Sequence, residues 1–132
     1  KIDPFPGFDS VRIGFDLLKE VFNENEKTWM SALSNVKGIY LIADTKTGKL
    51  YVGSAYGEEA FWQRWKKYIE TGHGGNVKLK NLIQENGFEY TSNFEFSILE
   101  IRNMVTDDDV IIKREAYWKD CLLSRRFGYN DN

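Results

Sequence analysis

Apolar residues recur at helical spacing over 13–22, where Phe15, Leu17, Leu18, Val21 and Phe22 gather on one side. A second short helix is predicted over 25–34, around Trp29 and Leu33. Ahead of both, Pro4, Pro6 and Gly7 mark 1–10 as irregular. The pattern then changes. Val36 to Ala43 forms an apolar run of strand length, and Lys49 to Ser54 forms another. Between them, Asp44-Thr45-Lys46-Thr47-Gly48 reads as a turn, with aspartate first and glycine last. The two runs predict a β-hairpin. Pairing Ala43 near Gly48 sets Tyr40 opposite Tyr51, so both phenols leave the same face of the sheet. A one-residue slip would separate them.

Helical periodicity returns over 58–71 and again over 76–85, with Gly72-His73-Gly74-Gly75 as the break and Gly87 as the stop. From Asn93 to Glu100, Phe94, Phe96 and Ile98 alternate with polar partners, the mark of a half-buried strand. Asp107, Asp108 and Asp109 suit a helix start, and that helix is predicted to run to about Ser124. The order predicts an α+β domain, a small three-stranded antiparallel sheet flanked by helices. Residues 1–35 read as an N-terminal helical extension packed on a main domain of residues 36–132.

At 132 residues the chain is long enough for one sizeable core. No apolar run approaches the ~20 residues needed to span a membrane, and no signal-peptide pattern is present. The chain begins at Lys1 rather than methionine, as a fragment of a longer protein would, so a targeting segment upstream stays open. The single cysteine, Cys121, permits no internal disulfide and no cysteine-based zinc site. It points to a reducing, cytoplasmic setting. Its neighbours Trp118, Leu122 and Leu123 predict a buried structural thiol. The net charge of −2 argues against a stand-alone tight DNA binder, since such affinity comes mostly from basic groups on phosphates. It does not exclude a nuclease. Basic residues do cluster: Arg64 with Lys66 and Lys67, Lys78 with Lys80, and Arg125 with Arg126. They line one face, away from Asp107–Asp109, or they are solvated helix faces; the pattern allows both.

One carboxylate stands out. Ile111, Glu115, Trp118 and Leu122 share one stripe of the last helix, while Lys113 and Asp120 point elsewhere. A carboxylate on an apolar stripe is costly without a partner. Glu115 is therefore either salt-bridged, for instance to an arginine, or a metal ligand facing a cleft. Arg64 and Tyr68 lie one helical turn apart beside Phe61 and Trp65. Such an arginine is a surface group or a clamp for a carboxylate or phosphate. Tyr40 and Tyr51 are ordinary strand residues taken singly. Gly53 marks a bulge or a close backbone approach. His73, between glycines, reads as an exposed turn residue.

Taken together and in order, Gly38-Ile39-Tyr40, Tyr51-Val52-Gly53, Arg64, Glu115 and Gly128-Tyr129-Asn130 resemble the GIY-YIG nuclease superfamily. Lys49–Ala55, Phe96–Glu100 and Ile111–Glu115 are most similar to phage homing-endonuclease catalytic domains. The resemblance covers roughly residues 36–131. It implies a divalent-metal-dependent endonuclease hydrolysing DNA phosphodiester bonds, using Mg²⁺ or Mn²⁺. It implies Tyr40 as general base and Tyr51 as support for the scissile phosphate or its waters. Arg64 would steady the pentacovalent phosphate, Tyr68 falls where the family places a tyrosine or histidine, and His73 matches a histidine of the homing enzymes. Glu115 would be the single protein ligand of the metal, and Asn130 a structural asparagine near the site. A free tyrosine has a pKa of about 10, so the resemblance also implies nearby cations that lower the value for Tyr40 and an activity that rises with pH.

This chain departs from the pattern at Tyr56-Gly57-Glu58-Glu59-Ala60, which lengthens the gap to Arg64, and at Ser54, where repair-type members carry a lysine. DNA is the implied partner, with targeting by a further domain or a partner protein. The alternative is a catalytically inactive nucleic-acid-binding or protein-interaction module with the same fold. A third reading, a purely structural domain, leaves Arg64 and Glu115 unexplained unless they pair with each other.

Overall fold

The computed structural model describes residues 2–132; Lys1, the first residue of the irregular opening segment, lies outside them. A short 3₁₀ turn at Phe8–Ser10 leads into β1 (Arg12–Gly14), α1 (Phe15–Asn23) and α2 (Lys27–Leu33). The hairpin follows as β2 (Val36–Asp44) and β3 (Leu50–Ala55). Then come α3 (Ala60–Thr71), α4 (Val77–Asn86), a 3₁₀ turn at Phe88–Asn93, β4 (Phe94–Asn103), α5 (Asp108–Leu122) and α6 (Ser124–Phe127). The fold is α+β, as expected, but the antiparallel sheet has four strands rather than three, in the order β1-β4-β2-β3. The extra strand is β1, whose Ile13 pairs with Phe96. Three residues are too few to display an alternating pattern, and Ile13 had been absorbed into the predicted helix. The N-terminal segment thus supplies one edge of the sheet, and Phe15, Leu18, Val21 and Phe22 join the main core.

The hairpin register also differs. Ala43 pairs with Leu50, Ile42 with Tyr51 and Tyr40 with Gly53. The turn takes two more residues than expected because the Asp44 N–H donates to the Lys49 carbonyl at 2.9 Å. A shift of two preserves the face, so Tyr40 and Tyr51 still project to the same side, diagonally rather than directly opposed.

That side carries the larger core. Tyr40, Ile42, Tyr51, Phe96 and Ala55 pack against Phe61, Trp65 and Tyr68 of α3. The other side carries a smaller cluster of Ile39, Val52 and Ile111, through which α5 docks. Glu100 on β4 strengthens that dock. Its carboxylate accepts from Arg114 Nε and Trp118 Nε1, each at 2.9 Å, and from Arg102. Burial alone would raise its pKa, but these donors hold it down at about 2. Cys121 is exposed rather than buried, because it falls on the outward side of α5 beside Asp120 and Tyr117, away from the Ile111 stripe. Among the described residues no helix is long and apolar enough to cross a membrane.

Candidate active site

β3 is the edge strand of the hairpin, and its alternation sends successive side chains to opposite sides. Tyr51 and Gly53 face α3, whereas Ser54 faces α5. A pocket of about 420 Å³ opens across this edge. Tyr51, Ala60, Gln63, Arg64 and Lys67 wall it from one side and Ser54 and Glu115 from the other, with Tyr56 also in the lining. A phenol, a guanidinium and a carboxylate from three elements therefore meet in one open cleft.

Tyr40 lies behind this wall. It is 0% exposed, and its hydroxyl hydrogen-bonds to the Tyr68 hydroxyl at 2.8 Å. Arg64 Nε donates to the same oxygen at 3.3 Å. The two tyrosines, Phe61, Trp65 and Phe96 form an edge-to-face aromatic cluster. Gly53 makes room for the Tyr40 ring, since a Cβ there would lie 2.3 Å from Tyr40 Cζ. The expectation that cations lower the Tyr40 pKa is not met. Burial raises it far above its ordinary value, and Arg64 offsets only part of the effect. Tyr68 is shifted in the same direction, again by burial first. Both are neutral phenols at physiological pH. Arg64 forms no ion pair with any carboxylate among the described residues, so its outer nitrogens stay available on the pocket side.

Glu115 sits half-buried on the opposite wall. Its Oε1 accepts from Ser54 Oγ at 2.9 Å, and its Oε2 lies 3.5 Å from Lys119 Nζ. The salt-bridge reading thus holds in a weak form, with a lysine one helical turn on rather than with an arginine. Among the described residues no group of three or more acidic, histidine or cysteine side chains is gathered anywhere. A cation in this pocket would have one protein carboxylate.

Asn130 lies beneath the edge. It is buried, and its side chain acts as a substitute strand partner: Oδ1 accepts from the Val52 N–H at 2.8 Å, and Nδ2 donates to the Val52 carbonyl at 2.9 Å. Ser124 Oγ completes the set with a 2.6 Å bond to the same Oδ1. Asn130 therefore fixes the strand segment between Tyr51 and Gly53. His73 is not brought to the pocket. It is half-buried in the α3–α4 turn, where Nδ1 accepts from the Gly75 N–H at 2.9 Å. Burial and then Lys80 lower its pKa.

Glu58 and Glu59, in the segment that lengthens the gap to Arg64, are exposed and absent from the lining of this pocket. Tyr56, Gln63, Lys67 and Lys119 are additions to the predicted set. Lys67 lies three residues after Arg64, and Lys119 four after Glu115, so helical spacing alone would have found both. Tyr56 comes from an irregular loop and carries no such signal.

Residues 36–130 match the family model described as the GIY-YIG catalytic domain. The chain is 40% identical over 93 residues to intron-associated endonuclease 1 of Enterobacteria phage T4, a match covering 70% of this chain and 36% of that protein. This chain thus spans little more than a third of that relative's length. The catalytic domain of homing endonuclease I-TevI has the same fold, with a TM-score of 0.56, 38% identity and coverage of 71% of this chain and 96% of that one. A mutant of the same catalytic domain gives a TM-score of 0.58 at 37% identity, covering 74% of this chain and 94% of that one. The chain belongs to the GIY-YIG family and carries its nuclease catalytic domain.

Proposed function

We propose that the chain is a divalent-metal-dependent endonuclease that hydrolyses DNA phosphodiester bonds. The observation that carries this reading is the convergence of Tyr51, Arg64 and Glu115 on one solvent-open pocket from the two sides of an edge strand. The donor set suits a hard cation such as Mg²⁺ or Mn²⁺. Glu115 offers carboxylate oxygens at the pocket wall, and such ions keep several waters and accept substrate oxygens for the rest of their shell. Bound there, the ion would neutralise charge on the phosphate and on the departing 3′ oxygen.

The chain's own residues supply the rest. Arg64, paired with no carboxylate among the described residues and anchored at Nε by Tyr40, directs its outer nitrogens toward a phosphate in the pocket. Removing a donor of this kind typically costs about 10²–10³ in rate. Tyr51, also on the wall, orients the phosphate or its water. Tyr40 is the base; its oxygen sits behind the pocket wall and is linked to it through the bond from Arg64 Nε. With its pKa raised, the phenolate fraction stays small and grows tenfold per pH unit, so the rate rises with pH without a plateau through neutral. Tyr68 holds the Tyr40 oxygen in place. Asn130 positions the strand. Targeting belongs to a further domain or a partner, consistent with the greater length of the phage relative.

Supercoiled-plasmid nicking in Mg²⁺ or Mn²⁺ tests the reading. Glu115→Ala is expected to abolish nicking and to lose Mn²⁺ binding measured by electron paramagnetic resonance. Tyr40→Phe is expected to flatten the rise of rate with pH. Nicking by the Glu115→Ala chain at the unaltered rate overturns the assignment.

A further inference from the structure

A second pocket, of about 510 Å³, lies beside the first. Its walls include Lys49, Lys78, Glu85, Arg126, Phe127 and Tyr129. Lys49 stands two residues before Tyr51, about 7 Å along an extended chain. The far wall is fastened to the same strand. The Tyr129 N–H donates to the Leu50 carbonyl at 2.9 Å, and Gly128 lies so close that a Cβ would be 2.2 Å from that oxygen. The second pocket therefore abuts the start of β3, the strand whose Tyr51 lines the first.

The second pocket is basic in a chain of net charge −2. Three cations line it against one acid. None of the three is ion-paired among the described residues, whereas the neighbouring Arg125 is engaged by Asp120 at 2.7 Å. Lys78 Nζ makes only a 3.5 Å contact with the Arg125 carbonyl. Phe127 is 59% exposed, with the Arg126 guanidinium 4.8 Å from its ring centroid. Lys49 Nζ lies over the Tyr129 ring, 5.8 Å from its centroid, but folding leaves Lys78 and Arg126 without an acidic partner and the Phe127 ring in water beside them. Nucleic acid suits both, with phosphates on the cations and a base or sugar against the ring. Adjacency to the active pocket selects the occupant. Successive phosphates of one DNA strand rise about 3.4 Å along the helix axis and wind round it, so a strand with its scissile phosphate beside Tyr51 brings a phosphate one or two nucleotides away to Lys49.

We infer that this pocket holds the backbone of the DNA strand flanking the cut, with Lys49, Lys78 and Arg126 on its phosphates and Phe127 against a base or sugar. The inference rests on the endonuclease reading, and its test is kept separate from it. Binding of a fluorescent 20-base-pair duplex is followed by anisotropy in the Glu115→Ala background at low salt, without metal. Lys78→Ala and Arg126→Ala are each expected to weaken binding about 3–10-fold and to reduce the slope of log affinity against log salt by about one. Phe127→Ala is expected to weaken binding with no change of slope. Thermal melts followed by circular dichroism check that each variant folds. Duplex affinity and salt slope unmoved by all three substitutions, as a surface kept for an acidic protein would give, overturn the proposal, as does absence of duplex binding by the parent. Failure of the native chain to nick DNA, with the slopes still reduced, sinks the endonuclease reading and leaves the DNA surface standing.

Discussion

Lys119 holds the most consequential position that the sequence pattern did not single out. It is buried, with Nζ 3.5 Å from Glu115 Oε2 on one side and donating to the Asn132 carbonyl at 2.8 Å on the other. A fixed cation beside the carboxylate on the pocket wall has two opposed effects. It lets Glu115 sit half-buried without an uncompensated charge. It also repels any second cation brought to the same oxygen. Lys119→Met keeps most of the apolar stem and removes the charge. Mn²⁺ affinity without DNA is then expected to rise about 3–30-fold, the equivalent of roughly 0.7–2 kcal/mol. Titration of the free-Mn²⁺ resonance signal measures it. Unchanged or weaker affinity would mean that Lys119 orients Glu115 rather than opposing the ion.

The edge strand β3 is the element on which the site depends. Tyr51 and Ser54 reach the pocket from its two sides, Gly53 admits the Tyr40 ring, and Asn130 clamps Val52 between them. Gly53→Ala puts a methyl group 2.3 Å from Tyr40 Cζ, and the buried ring has no room to yield. A loss of about 1–3 kcal/mol is expected, read from urea melts. Nicking should fall further than stability, because Tyr40 anchors Arg64. A variant with normal stability and normal nicking would show that the ring moves freely. Much of this element was legible in the chain: the hairpin, the shared face of the two tyrosines, and Glu115 on the α5 stripe. Less visible was whatever depends on contacts between distant segments. β1 is too short to show a period, and the hairpin register turned on one backbone bond at Asp44. Cys121 looked buried from its sequence neighbours, yet the helix turns it outward. Asp44 looked like a turn residue alone, yet its carboxylate is buried and accepts from the hydroxyls of Tyr90 and Tyr129, residues 46 and 85 positions away along the chain.

At the scale of the molecule, the pocket exists only while α5 stays docked on the sheet, and Glu100 is the charged centre of that dock. Arg114, Trp118 and Arg102 hold its pKa at about 2 against the effect of burial. Asp44, at the other end of the sheet, is also held below its ordinary value: burial opposes this, but the hydroxyls of Tyr129 and Tyr90 prevail. Free carboxylates titrate near pH 4. A folded-state pKa below that value means the unfolded chain binds protons more readily as the pH falls. The stability that Glu100 contributes is therefore complete above about pH 5 and is lost as the pH falls toward 2, and Asp44 adds a loss in the same direction. The urea midpoint is expected to be nearly flat from pH 8 to 5 and to drop below that. Glu100→Gln should lower the midpoint at pH 7, because two arginines lose their partner, and should make the decline below about pH 5 shallower. Parallel acid profiles for the variant and the native chain would show that the Glu100 network is not coupled to folding, and the cohesion of the site would then rest on the apolar cluster of Ile39, Val52 and Ile111 with Leu41, Leu99, Trp118 and Leu122.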